Sequence, residues 1–372
     1  MRVLVAPDKF RGTLSAAQAA AAVATGWARS RPDDVVEQVP LADGGEGTVD
    51  ALVAALGGER RRVRVAGPLG DPVEATFGLV HRAGGALGLV EMAEASGLAL
   101  VSESRRDPLR ASTRGTGDLI LAATRAGASE VLVCIGGSAT TDGGVGMAAA
   151  LGIALLDAGG LPVRPGGEGL LDLARIDAGG LDRRVRRLRV QAACDVDNPL
   201  TGPHGAAYVF GPQKGASPQE VLLLDRALAH LAAVIHRDLG IDVRALPGAG
   251  AAGGLGAGRV AFLGARLRRG VEVVMDAVGL PARLERSDLV ITGEGALDAS
   301  SLRGKVPSGV LETARSAGVP ALVLCGRTDV RPEGVPVHTL VERFGVERAM
   351  SDARRALEDL AAEVAERLPS GG

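Results

Sequence analysis

"EVLVCIGGSATTDGGVGMAAALG", residues 130–152, opens as a β-branched apolar run, passes through glycines and hydroxyl residues, and leaves through an alanine-rich segment. The opening reads as a buried strand. Downstream, Val145, Met147, Ala148, Leu151, Ile153 and Leu155 keep near-helical spacing, weakened by Gly146 and Gly152. A strand running through glycines into a helix is a common frame for an anion site. The glycines let backbone N–H groups approach a ligand, and the helix N-terminus adds a partial positive charge. The same pattern also makes an ordinary tight turn, so this loop alone leaves both readings open.

The alternation recurs on either side. "VLVA" leads into "PDKFRG" (7–12) and then "TLSAAQAAAAVATGWARS", a helix that Thr13 or Ser15 can cap, with Ala19, Val23 and Trp27 on one face. A strand near "EQVPLA" ends at "DGGEGT", and Thr48 begins another helix. Further strands are expected at "RVQAAC" (189–194), "DLVITG" (288–293), "ALVLCG" (321–326) and "VHTLV" (337–341), and amphipathic helices at "VLLLDRALAHLAAVIHRDLG" and "SDARRALEDLAAEVAERL". Short strands alternating with helices mark an α/β layer structure, whose ligand crevice lies beyond the carboxyl ends of the strands. Between Arg62 and Val101 the texture changes to short β-rich runs separated by Gly, Pro and Asp, a β-meander signal.

The 372 residues suggest about two domains. No internal repeat or long linker separates them, so the domains are expected to interleave along the chain. A net charge of −2 gives no global field that would draw the chain to nucleic acid or a membrane. Arginine clusters at 60–62, 183–189 and 266–269 read as solvated faces. Only Lys9, Lys214 and Lys305 occur among 42 basic residues, which suggests roles for a compact point charge at those positions. Cys134, Cys194 and Cys325 sit in apolar runs far apart and read as buried reduced thiols of a cytoplasmic protein. The N-terminus has too few apolar residues for a signal peptide, and the uncharged run Gly143–Leu156 is too short to span a bilayer.

Five polar, glycine-rich segments carry the possible chemistry: "PDKFRG", "ADGGEGT", "GGSATTDGG", "CDVDNPLTG" and "TGEGALD". Carboxylates directly after strands are costly to bury unless paired, hydrogen-bonded or facing a metal. Any one could be a turn or cap; five together favour a polar crevice. Phosphoryl transfer suits such a crevice, since it uses N–H donors, cations, carboxylate-held Mg²⁺ and an acid–base group. There is no Walker A motif, because "RGKV" lacks the glycine spacing and the hydroxyl residue after Lys305. Gly248, Gly250 and Gly253 satisfy G-x-G-x-x-G, which would serve a nicotinamide-dependent oxidoreductase of a small hydroxy acid, but "IDVRAL" before them is a poor strand. A non-enzymatic anion-binding protein is the third reading. The histidines form no legible catalytic or zinc set; His204 alone lies beside acidic loops.

Taken together, "APDKFRGTLSA", "ADGGEGT", "GGSATTDGG", "CDVDNPLTGPHGA", "PGAGAAGGLG" and "TGEGALDASSLRGKVP" resemble the bacterial glycerate kinase family, the type without a P-loop, in order from about residue 1 to 368. The resemblance implies transfer of the γ-phosphoryl group of ATP to D-glycerate with Mg²⁺, giving 2- or 3-phosphoglycerate and ADP. It implies two α/β domains with mainly parallel sheets and an active-site cleft between them. The expectation is a discontinuous Rossmann/flavodoxin-like domain from 1–75 plus 285–372, and a second α/β domain, 76–284, containing the β-meander. A homo-oligomer is compatible with this reading.

Within that resemblance, Lys9 and Arg11 would hold the glycerate carboxylate or the transferring phosphoryl group. Arg11 stands where the family often has a second lysine, which keeps the charge and changes the hydrogen-bonding geometry. Asp43 is expected in catalysis, and Glu46 and Asn198 beside the substrate. Gly136, Gly137, Ser138 and Thr140 would cradle nucleotide phosphates, with Glu294, Asp298 and Lys305 completing the nucleotide side. Asp195 and Asp197 are the candidates for the general base or the Mg²⁺ ligand, with Asp195 placed in catalysis, Asp197 at the metal and Asp142 near it; which of the two carboxylates takes which role stays open.

Overall fold

The structure, a computed structural model, describes residues 1–193, 196–302 and 304–368. The thiol expected at Cys194 and the catalytic carboxylate expected at Asp195 lie outside the described residues, as does the tail from Pro369. The chain forms two compact units. One comprises Met1–Asp43, Asp50–Gly57 and Arg269–Gly372, and the other Gly44–Val49 and Gly58–Arg268. In chain order the strands of the two main sheets are β1 (Arg2–Val5), β2 (Val35–Gln38), β3 (Glu59–Ala66), β4 (Pro72–Val80), β5 (Ala86–Glu91), β6 (Ala128–Cys134), β7 (Arg189–Ala193), β8 (Arg266–Arg268), β9 (Leu289–Thr292), β10 (Ala321–Cys325) and β11 (Val337–Thr339).

The five-stranded sheet of the first unit is parallel throughout, in the order β11-β10-β9-β1-β2. Counted along this unit alone, the order is 2-1-3-4-5, the flavodoxin-like arrangement, whose ligand crevice lies where the order reverses, beyond the first and third strands. Here those strands are β1 and β9. Successive side chains point to opposite faces. Thus Leu322 and Leu324 join Val5, Ile291 and Trp27 in one core cluster, while Val323 and Cys325 join Leu311 in another. Ser15 caps the helix Ala16–Ser30 in a capping box with Gln18, as one of the two expected caps. At Gly26 an added Cβ would sit 1.9 Å from the Glu358 carbonyl oxygen, so this helix packs backbone to backbone against Ala353–Arg367.

The six-stranded sheet of the second unit runs β8-β7-β6-β5-β4-β3. It is parallel from β8 to β5 and antiparallel through β5-β4-β3, which is the expected meander. The helix Pro218–Leu239 buries Leu224, Leu228, Leu231 and Ile235 on one face, begins at a Ser217–Glu220 capping box and stops at Gly240 in the left-handed conformation.

Two expectations change. The boundary expected at residue 75 falls at Gly57/Gly58, because β3 pairs along its whole length with β4 and so belongs to the second unit's sheet. The boundary at 285 moves back to Arg269, since the helices Gly270–Val278 and Leu280–Leu284 pack on Val306–Ala317. The helix after the opening loop is also shorter than its spacing suggests. It covers Val145–Ala150, Gly152 turns with φ +99°, and Leu155 enters a short strand, Ala154–Leu156, paired with Arg175–Asp177. Among the described residues no helix is long and apolar enough to cross a membrane.

Candidate active site

A cavity of about 360 Å³ lies in the first unit, lined by residues that follow β1, β9 and β10. Three chain segments meet there through backbone hydrogen bonds. Asp8 N–H donates to the Gly293 carbonyl (2.8 Å), Gly326 N–H to Glu294 (3.0 Å) and Arg327 N–H to Gly295 (3.1 Å). Such close lacing explains two glycines. A Cβ at Gly293 would lie 1.7 Å from the Leu324 carbonyl oxygen, and one at Gly326 would lie 2.3 Å from that of Gly295. The loops therefore deliver Asp8, Lys9 and Arg11 from one side and Glu294 from the next strand into one crevice. Asp43, Asp298, Lys305 and Arg327 line it too.

The electrostatics of this crevice are uneven. Asp8 is 5% exposed, and burial, followed by the neighbouring Asp43 charge, raises its carboxyl to about 7, against the pull of the Lys9 N–H and ammonium. Burial also raises Glu294, although Ser301 and Lys305 draw it back, and its Oε1 is buried without a hydrogen-bond partner. Asp298 behaves oppositely. Hydrogen bonds from the Ser300 hydroxyl and from the Ser300 and Ser301 N–H groups hold its carboxyl at about 2. Lys305 stands at the N-cap of Val306–Ala317. Sequence reasoning missed Asp8 and Arg327. The signal for Asp8 was present, since it follows β1 as Glu294 follows β9, but its neighbour Lys9 took the role.

The second unit has its own cavity, of about 370 Å³, where Gly136, Gly137 and Ser138 meet Gly44, Gly45 and Ala252. The opening loop is fixed from behind. Leu98 N–H donates to the Gly137 carbonyl (2.8 Å) and Ala139 N–H to that of Ser96 (2.9 Å). Gln213 and Ser138 supply side-chain polar groups, and no Lys or Arg lines this cavity among the described residues. Ala252 is itself unusual, with φ 52°, and begins three consecutive left-handed residues with Gly253 and Gly254. Such strain in a non-glycine residue gathers at ligand sites.

Several expected site residues lie elsewhere. Asp142, expected near a metal, is fully buried. Its Oδ2 accepts from Thr113 N (2.8 Å), Thr113 Oγ1 (2.9 Å) and Gly146 N (3.2 Å), and its Oδ1 from Gly144 N (3.0 Å). Its lone pairs hold the loop together, leaving no face for an ion. Thr140, expected in the phosphate cradle, is also fully buried; its carbonyl accepts from Lys214 Nζ at 2.6 Å. Burial lowers that lysine to about 7, with Asp142 opposing the shift. Asn198 donates from Nδ2 to the His204 carbonyl (2.8 Å), bracing its own loop, and Asp197 is exposed. Glu46 is exposed on the 44–49 segment, which belongs to the second unit. The set expected on the nucleotide side thus divides: Glu294, Asp298 and Lys305 share a cavity with Lys9, Arg11 and Asp43, while Gly136, Gly137 and Ser138 belong to the second unit.

The Gly248–Gly253 run fails as a dinucleotide loop. Among the described residues the element directly before it is the helix Pro218–Leu239 in place of a strand, and its glycines instead let backbones pack, with a Cβ at Gly253 falling 1.9 Å from the Thr140 carbonyl oxygen. For a divalent cation, no three His, Cys, Asp or Glu among the described residues form a ready-made ligand group. A nucleotide-bound Mg²⁺ takes one or two protein carboxylates, with phosphate oxygens and water for the rest. The unpartnered Glu294 Oε1 is a donor of the right hardness.

A sequence profile described as the Glycerate kinase family matches residues 3–369. A glycerate kinase from Halalkalibacterium halodurans is 45% identical over 370 residues, covering 98% of this chain and 97% of that protein. A glycerate 2-kinase from Escherichia coli K12 is 47% identical over 326 residues, covering 88% of this chain and 85% of that protein. A crystal structure assigned to glycerate kinase 2 from Salmonella typhimurium LT2 superposes with a TM-score of 0.90 at 45% identity, covering 98% and 97% of the two chains.

Proposed function

Since this chain belongs to the glycerate kinase family and is a phosphotransferase, we propose that it transfers the γ-phosphoryl group of ATP to the 2-hydroxyl of D-glycerate, with Mg²⁺. The observation that carries this reading is the first unit's crevice, where four Lys and Arg side chains from three loops meet the buried carboxylates of Asp8 and Glu294. Choice of the 2-hydroxyl rests on the Escherichia coli relative.

Lys9, Arg11 and Lys305 neutralise the polyphosphate and the charge that develops on the transferring group. Asp43 and Glu294 would hold Mg²⁺ together with phosphate oxygens. Held there, Mg²⁺ would supply Lewis-acid stabilisation of the negative charge on the phosphoryl group. Asp8, poised near neutrality, accepts the proton of the attacked hydroxyl. The second unit's cavity has N–H donors and no lysine or arginine lining among the described residues, so it suits a single carboxylate better than a triphosphate. This differs from the nucleotide-phosphate role that the sequence pattern suggested for Gly136, Gly137 and Ser138.

The test is ADP release from ATP dependent on glycerate, with the product offered directly to enolase, which consumes 2-phosphoglycerate without a mutase. A product that enolase uses only after mutase is added would move the reaction to the 3-hydroxyl. Asp8→Asn and Asp195→Asn, assayed in parallel, decide the base: loss of turnover on Asp8→Asn with Asp195→Asn active supports Asp8, and the reverse returns the role to Asp195.

A further inference from the structure

The first unit's cavity has a second, apolar wall that phosphoryl transfer itself does not use. Leu340, Val346, Ala349 and Met350, all from the helix Leu340–Ser351, line the same space as Lys9, Arg11 and Lys305. Val346 is 64% exposed and Met350 60% exposed, although both are large and apolar. Spacing of three and four residues places Val346, Ala349 and Met350 on one helical face. The helix is broken at Gly345, whose φ of 83° and ψ of 163° reset its course before that face begins. Upstream of the break, Val341 N–H donates to the Gly326 carbonyl at 3.0 Å, and Thr339 Oγ1 accepts from Glu342 N at 3.0 Å. The helix start is thereby tied to the loop that carries Arg327.

A cavity with cations at one part and exposed aliphatic side chains at another fits a ligand with an anionic tail and a flat, poorly hydrated body. Glycerate, three carbons carrying a carboxylate and two hydroxyls, has no use for such a wall. We propose that the Val346–Ala349–Met350 face is the base subsite, taking the face of the ATP purine ring while the polyphosphate extends to Lys9, Arg11 and Lys305. Methionine suits this role, because its unbranched, polarizable thioether adapts to an aromatic surface. The Arg327 guanidinium, lining the same cavity, can stack on the ring. This subsite rests on the ATP-dependent reading above and adds where the nucleotide is recognised.

The experiment uses Val346→Asp and Met350→Glu, both at exposed positions where a polar group leaves the core intact. Leu161→Asp, at a 66% exposed apolar site in the other unit, is the control. Steady-state KM for ATP and for glycerate is measured together with calorimetric Kd for ADP and inhibition by inorganic tripolyphosphate, which has the tail and lacks the base. Both wall variants should raise KM for ATP and Kd for ADP at least about tenfold, while KM for glycerate and tripolyphosphate inhibition stay within about twofold. The control should match wild type. ADP affinity within about twofold of wild type in both wall variants would overturn the assignment, and so would an equal loss for tripolyphosphate. Failure of the wild-type protein to phosphorylate glycerate would sink the proposed reaction alone, since ADP and tripolyphosphate binding would still decide the wall.

Discussion

Two cavities of similar size, about 360 Å³ in the first unit and about 370 Å³ in the second, are built by opposite means. The first works with side chains: Lys9, Arg11, Lys305 and Arg327 set against Asp8, Asp43 and Glu294, with Asp8 and Glu294 buried enough to raise their carboxyls. The second is lined by the glycines Gly44, Gly45, Gly136 and Gly137, and Asp142, further along the same loop, is turned inward onto N–H and hydroxyl donors. Where charge does the work, the identity of a side chain matters. Where N–H groups do it, what matters is the lack of one, together with whatever keeps the loop from relaxing.

That contrast can be broken most easily at Lys9. Lys9→Ala should cut kcat/KM by about 10²–10³-fold, the usual cost of losing one preorganised charge partner, with thermal stability unchanged. A fall in melting temperature paralleling the loss of activity would mean that Lys9 supports the fold. Gly253→Ala should act in the opposite way. Its Cβ would meet the Thr140 carbonyl oxygen at 1.9 Å, at a φ of +68°, so urea unfolding should show a loss of about 3 kcal/mol. Unaltered stability there would deny that backbone contact fixes the cradle.

Asp142→Asn is expected to cost about 2 kcal/mol, because an amide cannot accept from all the N–H and hydroxyl donors now gathered on the carboxylate. The accompanying rise should fall on KM for glycerate more than on KM for ATP. The smallest effect concerns pH. Lys214 is lowered by burial to about 7 from an ordinary value of 10.5, so between those values the unfolded chain binds the extra proton. Stability should therefore climb as pH rises from 7 towards 10, with a slope of at most about 1.4 kcal/mol per pH unit. Lys214→Met should flatten that slope in denaturation curves taken at pH 7, 8 and 9; an unchanged slope would assign the pH dependence to other groups.

The sequence pattern marked most of the strands and the five polar loops after or between them, because apolar runs and glycine breaks are local signals. Lys9, Arg11, Asp43, Glu294, Asp298 and Lys305 were all singled out, and all line one cavity. Their partition was not legible. Glu294 and Gly136 look alike on paper as loop residues after strands, yet they belong to different sheets, and only strand order assigns them. Asp142 was misread for a related reason: a carboxylate between glycines can aim outward at an ion or inward at N–H groups, and only its partners reveal which. Asp8 escaped because what raises its carboxyl is burial first and then the charges of Asp43 and Glu294, both distant in the chain. The wall at Val346 and Met350 gave no signal either, since two apolar residues on a helix normally mean core.

By itself the chain determined its alternation of strand, loop and helix, the glycine-rich breaks between them, and a family likeness carried by short motifs in order. Each of these depends on neighbours within a few residues, so sequence is enough to fix it. Tertiary structure alone decided which carboxylates are buried together, which loops share a cavity with lysine and arginine side chains, and which apolar side chains stay exposed. Those are properties of distance through space. Desolvation and Coulomb interaction respond to such distances and take no account of order along the polypeptide.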